Sequence, residues 1–195
     1  MRPLAPLATP GFLGVEIVQV LSGADCDAVL ASLDDRRWLD ARVTDADAEG
    51  GAVRPDVRSV LSQRLPVRHD GFPLDAIVDA VAAANGRRWR YELSGFGEDD
   101  PPSVLRYEDA AQDHFRPHHD AGQFAPTRKL SFSLQLSDPA DYRGGDLVIE
   151  GGDLGAGRRR GAMTIFSSAA RHEVTPVYSG VRAAIVGWIH GPTFR

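Results

Sequence analysis

The 195-residue sequence has a single cysteine, Cys26, and contains no run of eighteen apolar residues. One cysteine excludes a disulfide within the chain and is typical of proteins in the reducing cytoplasm. The absence of a long apolar run argues against a transmembrane helix, and residues 1–10 lack the apolar core of a secretory signal. We therefore expect a cytoplasmic protein with no membrane partner.

The sequence also lacks an excess of positive charge, because its formal net charge is −5 at pH 7. A run of three basic residues occurs only at positions 158–160, in a glycine-rich stretch that predicts a solvated turn. Since the nucleic-acid backbone is bound by clustered lysine and arginine, we expect no nucleic-acid partner. No repeat or linker is visible, which predicts one domain over residues 1–195, as a monomer or a homodimer.

The first half of the sequence predicts two helices between short strands. Loose alternation over residues 11–21 predicts a strand, and Ser22 with Asp25 has the spacing of a capping box that starts a helix. This helix should reach about residue 36. Apolar residues at helical spacing predict a second helix over residues 72–84, ended by an Asn-Gly pair. We also expect strands at residues 38–43 and 89–94, and a loop at residues 45–55.

The second half predicts many short strands separated by turn residues, which is typical of a β-sandwich or barrel. One of them, residues 129–136, alternates between an apolar face and a polar face that carries Ser131, Ser133 and Gln135. A polar face usually contacts solvent, but in a roll that encloses a pocket it would line the pocket instead. The predicted strands cover residues 104–107, 115–120, 129–136, 146–150, 162–167, 173–177 and 182–189.

A His-x-Asp motif lies at His118 and Asp120, at the end of a predicted strand. Because side chains alternate along a strand, these two share a face and His119 points away. An imidazole and a carboxylate on one face, joined by a distant histidine, can form the two-His-one-carboxylate site of non-haem iron oxygenases. His172 is the candidate third ligand. An isolated motif of this kind could equally be a surface His–Asp pair.

The order of these residues resembles the Fe(II)/2-oxoglutarate dioxygenases of the prolyl-4-hydroxylase-like class. That family has His-x-Asp, a gap of about fifty residues, a histidine, and an Arg or Lys about ten residues later. Here His172 lies 52 residues after Asp120, and Arg182 follows ten residues later. The resemblance begins near Val104 and includes flanking segments at residues 128–131, 135–139, 144–147 and 191–195.

The resemblance implies a mainly β fold with flanking helices (α+β). The core would be a double-stranded β-helix, the cupin-type jelly roll, over about residues 104–195, with N-terminal helical support over about residues 1–103 packed outside. It also implies Fe(II), with 2-oxoglutarate and O2 as co-substrates and ascorbate in a supporting role. His118, Asp120 and His172 would hold the iron. The planar guanidinium of Arg182 would bind the far carboxylate of 2-oxoglutarate.

Further contacts to 2-oxoglutarate follow from the same resemblance. A polar residue on the strand at 129–136 should help to bind it, with Gln135 and Ser133 as equal candidates. Tyr107 stands where the family has a tyrosine whose hydroxyl reaches 2-oxoglutarate, although the segment at 108–113 departs from the family pattern because it lacks glycine. Lys129 is the alternative cation to Arg182. Trp188 is expected to pack near the site.

We predict a 2-oxoglutarate-dependent dioxygenase that hydroxylates an aliphatic C–H bond of a small molecule or short peptide and releases succinate and CO2. Asp120 favours hydroxylation, because halogenating relatives lack this carboxylate. The alternatives are a prolyl hydroxylase acting on a protein, or a non-catalytic cupin-like module that holds a metal or anion. Acidic residues in two segments that could cover the pocket predict a negative entrance, which favours neutral or cationic substrates. They are Asp45, Asp47, Glu49, Glu108, Asp109 and Asp113.

Overall fold

The computed structural model of the chain describes residues 14–45, 48–150 and 155–193. Two α-helices lie in this part of the chain, α1 (Gly23–Ala31) and α2 (Leu74–Arg87). The strands are β1 (Val15–Gln19), β2 (Leu39–Asp40), β3 (Val43–Asp45), β4 (Ala48–Ala52), β5 (Arg58–Ser59), β6 (Leu61–Arg64), β7 (Ser103–Glu108), β8 (His114–His118), β9 (Arg128–Gln135), β10 (Tyr142–Gly144), β11 (Leu147–Ile149), β12 (Ala162–Ser167), β13 (His172–Val174) and β14 (Val177–His190).

The strands form two main antiparallel sheets. An eight-stranded sheet has the order β1-β12-β9-β14-β7-β6-β2, with β10 paired to β14, and a four-stranded sheet has the order β11-β13-β8-β5. Strands β3 and β4 form a separate two-stranded antiparallel sheet. The two sheets make up the double-stranded β-helix that the resemblance implies, and the fold is mainly β as predicted. The candidate site lies between them.

Strand β9 shows why the alternating pattern arises. It lies inside the large sheet, between β12 and β14. Its apolar side chains, among them Leu130 and Leu134, belong to the main hydrophobic core. The opposite face, with Ser131, Ser133 and Gln135, is also buried. The polar face therefore lines the interior of the roll rather than contacting solvent.

Both helices pack against the large sheet through the same hydrophobic core. In α1, Cys26 is buried in this core, where the lone cysteine acts as a small apolar residue. In α2, Ile77 and Val81 contribute one turn apart. The helical support predicted for the N-terminal half thus covers the outer face of the roll.

The ends of the helices differ from the predictions in detail. The capping box of α1 is present, because Ser22 Oγ accepts from the amide of Asp25 and the Asp25 carboxylate accepts from the amide of Ser22. Helix α1 ends at Ala31, earlier than predicted, and a 3-10 turn follows at Asp35–Arg37. Helix α2 continues through the Asn-Gly pair to Arg87.

Three predictions of local structure are wrong. Residues 89–94 form no strand, since the Asn85 side chain binds both the amide and the carbonyl of Tyr91 and Arg90 has a φ of 55°. The loop expected at residues 45–55 contains β4, which forms a hairpin with β3. The arginine run at 158–160 is not simply solvated, because Arg158 pairs with Asp146.

In the described ranges, no helix is both long and apolar enough to cross a membrane.

Candidate active site

Three of the predicted residues converge between the two sheets. His118 ends β8 and His172 begins β13, and the two are direct partners where these strands pair. The Nε2 atoms of His118 and His172 lie 3.5 Å and 3.3 Å from the carboxylate oxygens of Asp120. One candidate ligand atom from each residue lies within 4.8 Å of the others. The pairing of β8 with β13 explains why ligands so distant in sequence can meet.

Asp120 reaches this position by a different route from the one predicted. Strand β8 ends at His118, so Asp120 is not a strand residue. Its backbone amide and that of Ala121 both donate to the carbonyl of Ser168, at 3.0 and 2.8 Å. Ser131 Oγ donates to the carboxylate at 2.7 Å. The bend held by Ser168, rather than strand alternation, therefore directs the carboxylate towards the histidines.

The ring orientations suit a divalent metal. Nδ1 of His118 lies 2.8 Å from the carbonyl of Arg116, and Nδ1 of His172 lies 3.0 Å from the carbonyl of Ala170. Because a carbonyl can only accept, each Nδ1 carries a proton, which leaves Nε2 as the ring atom that can bind a metal. Histidine ligands of metals usually have this arrangement, with the second nitrogen donating to a carbonyl. The donor set fits the iron that the family resemblance implies.

Burial and proximity shift the ionisation of the three groups. Burial raises the pKa of Asp120, but hydrogen bonds from His118 and His172 outweigh it and hold that pKa well below its usual range. Burial lowers the pKa of His118. Burial also opposes the charged form of His172, yet the hydrogen bond to Asp120 raises its pKa. Asp120 is therefore an ionised carboxylate, as a metal ligand must be.

Aromatic side chains fix the two histidine rings. Phe115 stacks on His118 with ring centroids 3.5 Å apart, and Phe166 meets His172 edge-on at 4.7 Å. The three candidate ligands line a cavity, and His118 and Asp120 also line its outer opening. His119, which was predicted to point away from the metal, is exposed and lines this opening.

The predicted 2-oxoglutarate residues lie together at the inner end of the cavity. Arg182 is only 4% exposed; its Nε donates to Gln135 Oε1 at 3.2 Å and its Nη2 to Ser133 Oγ at 3.4 Å. Tyr107 is the partner of Arg182 across β7 and β14, and the guanidinium lies 5.2 Å over its ring. Burial raises the pKa of Tyr107, so its hydroxyl stays protonated. Lys129 is buried but is not among the residues that line this cavity.

Sequence reasoning missed Tyr142 and Gly145. The Tyr142 hydroxyl accepts from Gln135 Nε2 at 3.0 Å, which turns Gln135 Oε1 towards Arg182. Gly145 has a φ of +62°, and an added Cβ would lie 3.0 Å from Arg182 Cδ. Both belong to the Tyr-Arg-Gly-Gly segment at residues 142–145. Its Gly-Gly pair was the one sequence feature that could have indicated their place beside Arg182.

Three of the acidic residues predicted to surround the entrance form an ion pair or hydrogen bonds to backbone amides instead. Glu108 pairs with Arg106 at 2.7 Å, Asp109 accepts from the amide of Gly180, and Asp113 is buried and accepts from the amide of Glu108. None of the three lines the outer opening, so the prediction of a negative entrance is wrong for them. Asp47 and the side chains of Asp45 and Glu49 lie outside what the structure describes.

Arginines line the outer opening instead, together with Trp188. Arg128 donates to both carboxylate oxygens of Asp100, at 2.7 and 2.9 Å, and stacks 3.6 Å over the Trp188 ring. Its Nη1 also lies 3.4 Å from the carbonyl of Asp120. Arg128 thus links the rim to the backbone of a candidate ligand. The other two arginines that line the opening are Arg42 and Arg58.

Sequence comparisons agree with this geometry. The family model described as the 2OG-Fe(II) oxygenase superfamily matches residues 102–190. A PKHD-type hydroxylase of Paraburkholderia xenovorans is 33% identical over 181 residues, which cover 85% of this chain and 71% of the relative. One from Hyphomonas neptunium is 32% identical over 89% of this chain and 76% of the relative. A third, from Maricaulis maris, is 39% identical, but the match spans 44% of this chain and 40% of the relative.

Solved structures share the fold. A prolyl-4-hydroxylase from Pseudomonas putida superposes with a TM-score of 0.65 and 21% identity, covering 92% of this chain and 94% of that one. A prolyl hydroxylase from Trichoplax adhaerens, in complex with a hypoxia inducible factor peptide fragment, gives a TM-score of 0.70 and 16% identity over 91% and 83% of the two chains.

Proposed function

The chain belongs to the 2OG-Fe(II) oxygenase superfamily, and on this premise we propose that it hydroxylates an aliphatic C–H bond of a small molecule or short peptide. Membership implies Fe(II) and 2-oxoglutarate as cofactors, with O2. In the proposed reaction the substrate C–H, O2 and 2-oxoglutarate give the alcohol, succinate and CO2, so that one oxygen atom enters each of the two organic products.

The observation that carries this proposal is a single cavity lined by both His118, Asp120 and His172 and the buried cation Arg182. The two Nε2 atoms and the carboxylate would hold the metal on one side, which leaves the other side open to ligands. Iron bound there would supply the activation of O2 and the oxidation of the C–H bond.

Arg182 supports 2-oxoglutarate as the co-substrate. The hydrogen-bond partners of its guanidinium are the uncharged groups of Gln135, Ser133 and Tyr107, and no carboxylate whose side chain is described pairs with it. A buried charge without a counter-ion is costly, so the site favours an anionic ligand. The far carboxylate of 2-oxoglutarate matches the planar fork of Arg182, and the protonated Tyr107 hydroxyl can donate to the same ligand.

The remaining walls of the cavity exclude water from the reacting groups. They are largely apolar, which strengthens the electrostatic contacts inside and protects the oxidation from side reactions. The apolar lining residues are Leu105, Phe115, Phe132, Leu147, Phe166, Val174 and Val186.

The test is 2-oxoglutarate turnover. The purified chain should release succinate from 2-oxoglutarate with Fe(II) and ascorbate, faster when a substrate is present. Free amino acids, proline-containing peptides, a metabolite extract and intact proteins would be screened under ¹⁸O2 for a product with one labelled oxygen atom. Iron binding with no succinate under any condition would favour the non-catalytic module. A product found only on an intact protein would favour the protein prolyl hydroxylase.

A further inference from the structure

Arg58 lies in the wall between the metal-binding cavity and the outer opening, and it lines both. It begins β5, where it pairs with Phe115 of β8. The guanidinium lies 4.7 Å over the Phe115 ring, and that ring stacks on His118. The stack holds a cation beside the candidate metal site but outside its ligand set.

The hydrogen bonds of Arg58 are incomplete. Nη1 donates to the carbonyl of Arg42 at 2.9 Å, whereas Nε is shielded from solvent and has no hydrogen-bond partner. No carboxylate whose side chain the structure describes forms an ion pair with this guanidinium. Burial lowers the pKa of Arg58, while the charge of Asp120 offsets part of that effect. A charged donor left without a partner in a partly dry wall is a costly arrangement unless a ligand completes it.

The other two arginines at the opening are satisfied differently. Arg128 is matched by both oxygens of Asp100. Arg42 donates to the carbonyl of Gly51, and its exposed position leaves the remaining donors to water. Of these three arginines, Arg58 is therefore the one that is neither matched by a described carboxylate nor exposed to water.

Building on the proposed function, we propose that the substrate carries a carboxylate and that Arg58 binds it while the C–H bond to be hydroxylated faces the metal. A guanidinium presents a planar fork that matches a carboxylate, and Arg58 is packed over the Phe115 ring. Arg182 and Arg58 then each bind one of two anions. The inner arginine takes 2-oxoglutarate, and the outer one takes the substrate.

Binding without turnover tests this assignment. The full chain is loaded with Mn(II) and saturated with N-oxalylglycine, which resembles 2-oxoglutarate and occupies the Arg182 site. Calorimetry then compares N-acetyl amino acids with their uncharged primary amides. Since a hydrogen bond to a charged group is worth more than a neutral one, wild type should bind the preferred acid about tenfold or more tightly than its amide.

Two variants and a control locate the effect. Arg58→Gln should abolish the preference for the acid, and Arg58→Lys should keep part of it because the charge remains without the fork. Arg159→Gln changes an exposed arginine away from the opening and should bind like wild type. Unchanged N-oxalylglycine affinity in each variant shows that the site is folded. A second panel, of short peptides with Glu or Gln, distinguishes a peptide carboxylate from a free acid.

Two results would overturn the proposal. One is equal affinity for acids and amides throughout both panels in the wild type, and the other is an acid preference that survives in Arg58→Gln. Neither depends on catalysis. A wild-type chain that binds the acids but forms no succinate would instead contradict the proposed function.

Discussion

The two carboxylate oxygens of Asp120 contact two histidines and a serine. Oδ1 faces His118, whereas Oδ2 faces His172 and accepts from Ser131. We predict that the double variant His118→Ala/Asp120→Ala no longer binds Fe(II), because one histidine alone cannot form the site. Ser131→Ala should weaken metal binding by about 10–100-fold, the usual effect of removing a hydrogen bond to a ligand. Metal analysis after dialysis measures both.

The exposed neighbour His119 provides the control for that experiment. His119→Ala should retain the metal fully, since its side chain lies on the outer opening. Full metal retention by the double variant would show that the ion is held elsewhere.

Arg182 should be needed for 2-oxoglutarate binding but not for metal binding. Arg182→Ala removes one partner of a buried charge pair, so we expect a loss of about 2–5 kcal/mol in 2-oxoglutarate binding. Fe(II) affinity should change little, because Arg182 is not among the groups around the metal position. Calorimetric titration in the presence of Mn(II) gives both values. An unchanged 2-oxoglutarate affinity would transfer the role to another cation, with Arg58, which also lines the cavity, tested first.

Tyr142 is a positioning residue, since it reaches Arg182 only through Gln135. Tyr142→Phe removes the hydroxyl that orients the Gln135 amide, a change worth about 0.5–1.5 kcal/mol. We expect a several-fold higher KM for 2-oxoglutarate with kcat nearly unchanged. Steady-state kinetics would be compared with Tyr178→Phe, which alters an exposed tyrosine. Equal effects in the two variants would mean that the Tyr142 hydroxyl does not position Arg182.

At the level of elements, local patterns predicted the strands of the roll better than the segments around it. Strand β9 was predicted from strict alternation, because its two faces differ in chemistry although both are buried. Residues 89–94 alternate too, but there the pattern arises from an irregular segment whose Trp89 packs on the core. The pairing of β3 with β4 escaped prediction because β3 has only three residues and β4 contains two glycines, which leaves little side-chain pattern.

Local sequence patterns also predicted the candidate site only in part. The residues His118, Asp120 and His172 could be identified from spacing and resemblance, but the bend that directs Asp120 depends on Ser168, 48 residues away. Contacts between segments so far apart leave no local signal. Arg58 went unnoticed for this reason as well, because its neighbour Phe115 is brought close only by sheet pairing.

Strand β9 should also dominate stability. Leu134 is fully buried at the centre of the large sheet, so Leu134→Ala should lower the free energy of unfolding by about 2–5 kcal/mol. Leu39→Ala changes a leucine that is 71% exposed and should have almost no effect. Chemical denaturation followed by circular dichroism gives both values. Similar losses in the two variants would contradict the packing described for β9.

For the whole molecule, one hydrophobic core joins both helices to the large sheet. The single domain expected over residues 1–195 remains a prediction, and it implies one cooperative unfolding transition. Ile77→Ala in α2 should shift the transitions seen by circular dichroism and by tryptophan fluorescence equally. Separate shifts for the two signals would mean that the helical support unfolds on its own.

Strand β14 carries Arg182 at the inner end of the cavity and Trp188 at the outer opening. At about 3.4 Å per residue, six residues of strand separate their Cα atoms by about 20 Å, and the even number keeps both on one face. The strand thus fixes the distance between Arg182 and Trp188, and this distance limits how deep a substrate can reach. Inserting or deleting one residue at 183–187 would turn either Arg182 or Trp188 to the opposite face of the strand. Variation in substrate length must therefore arise in the segments that form the rim.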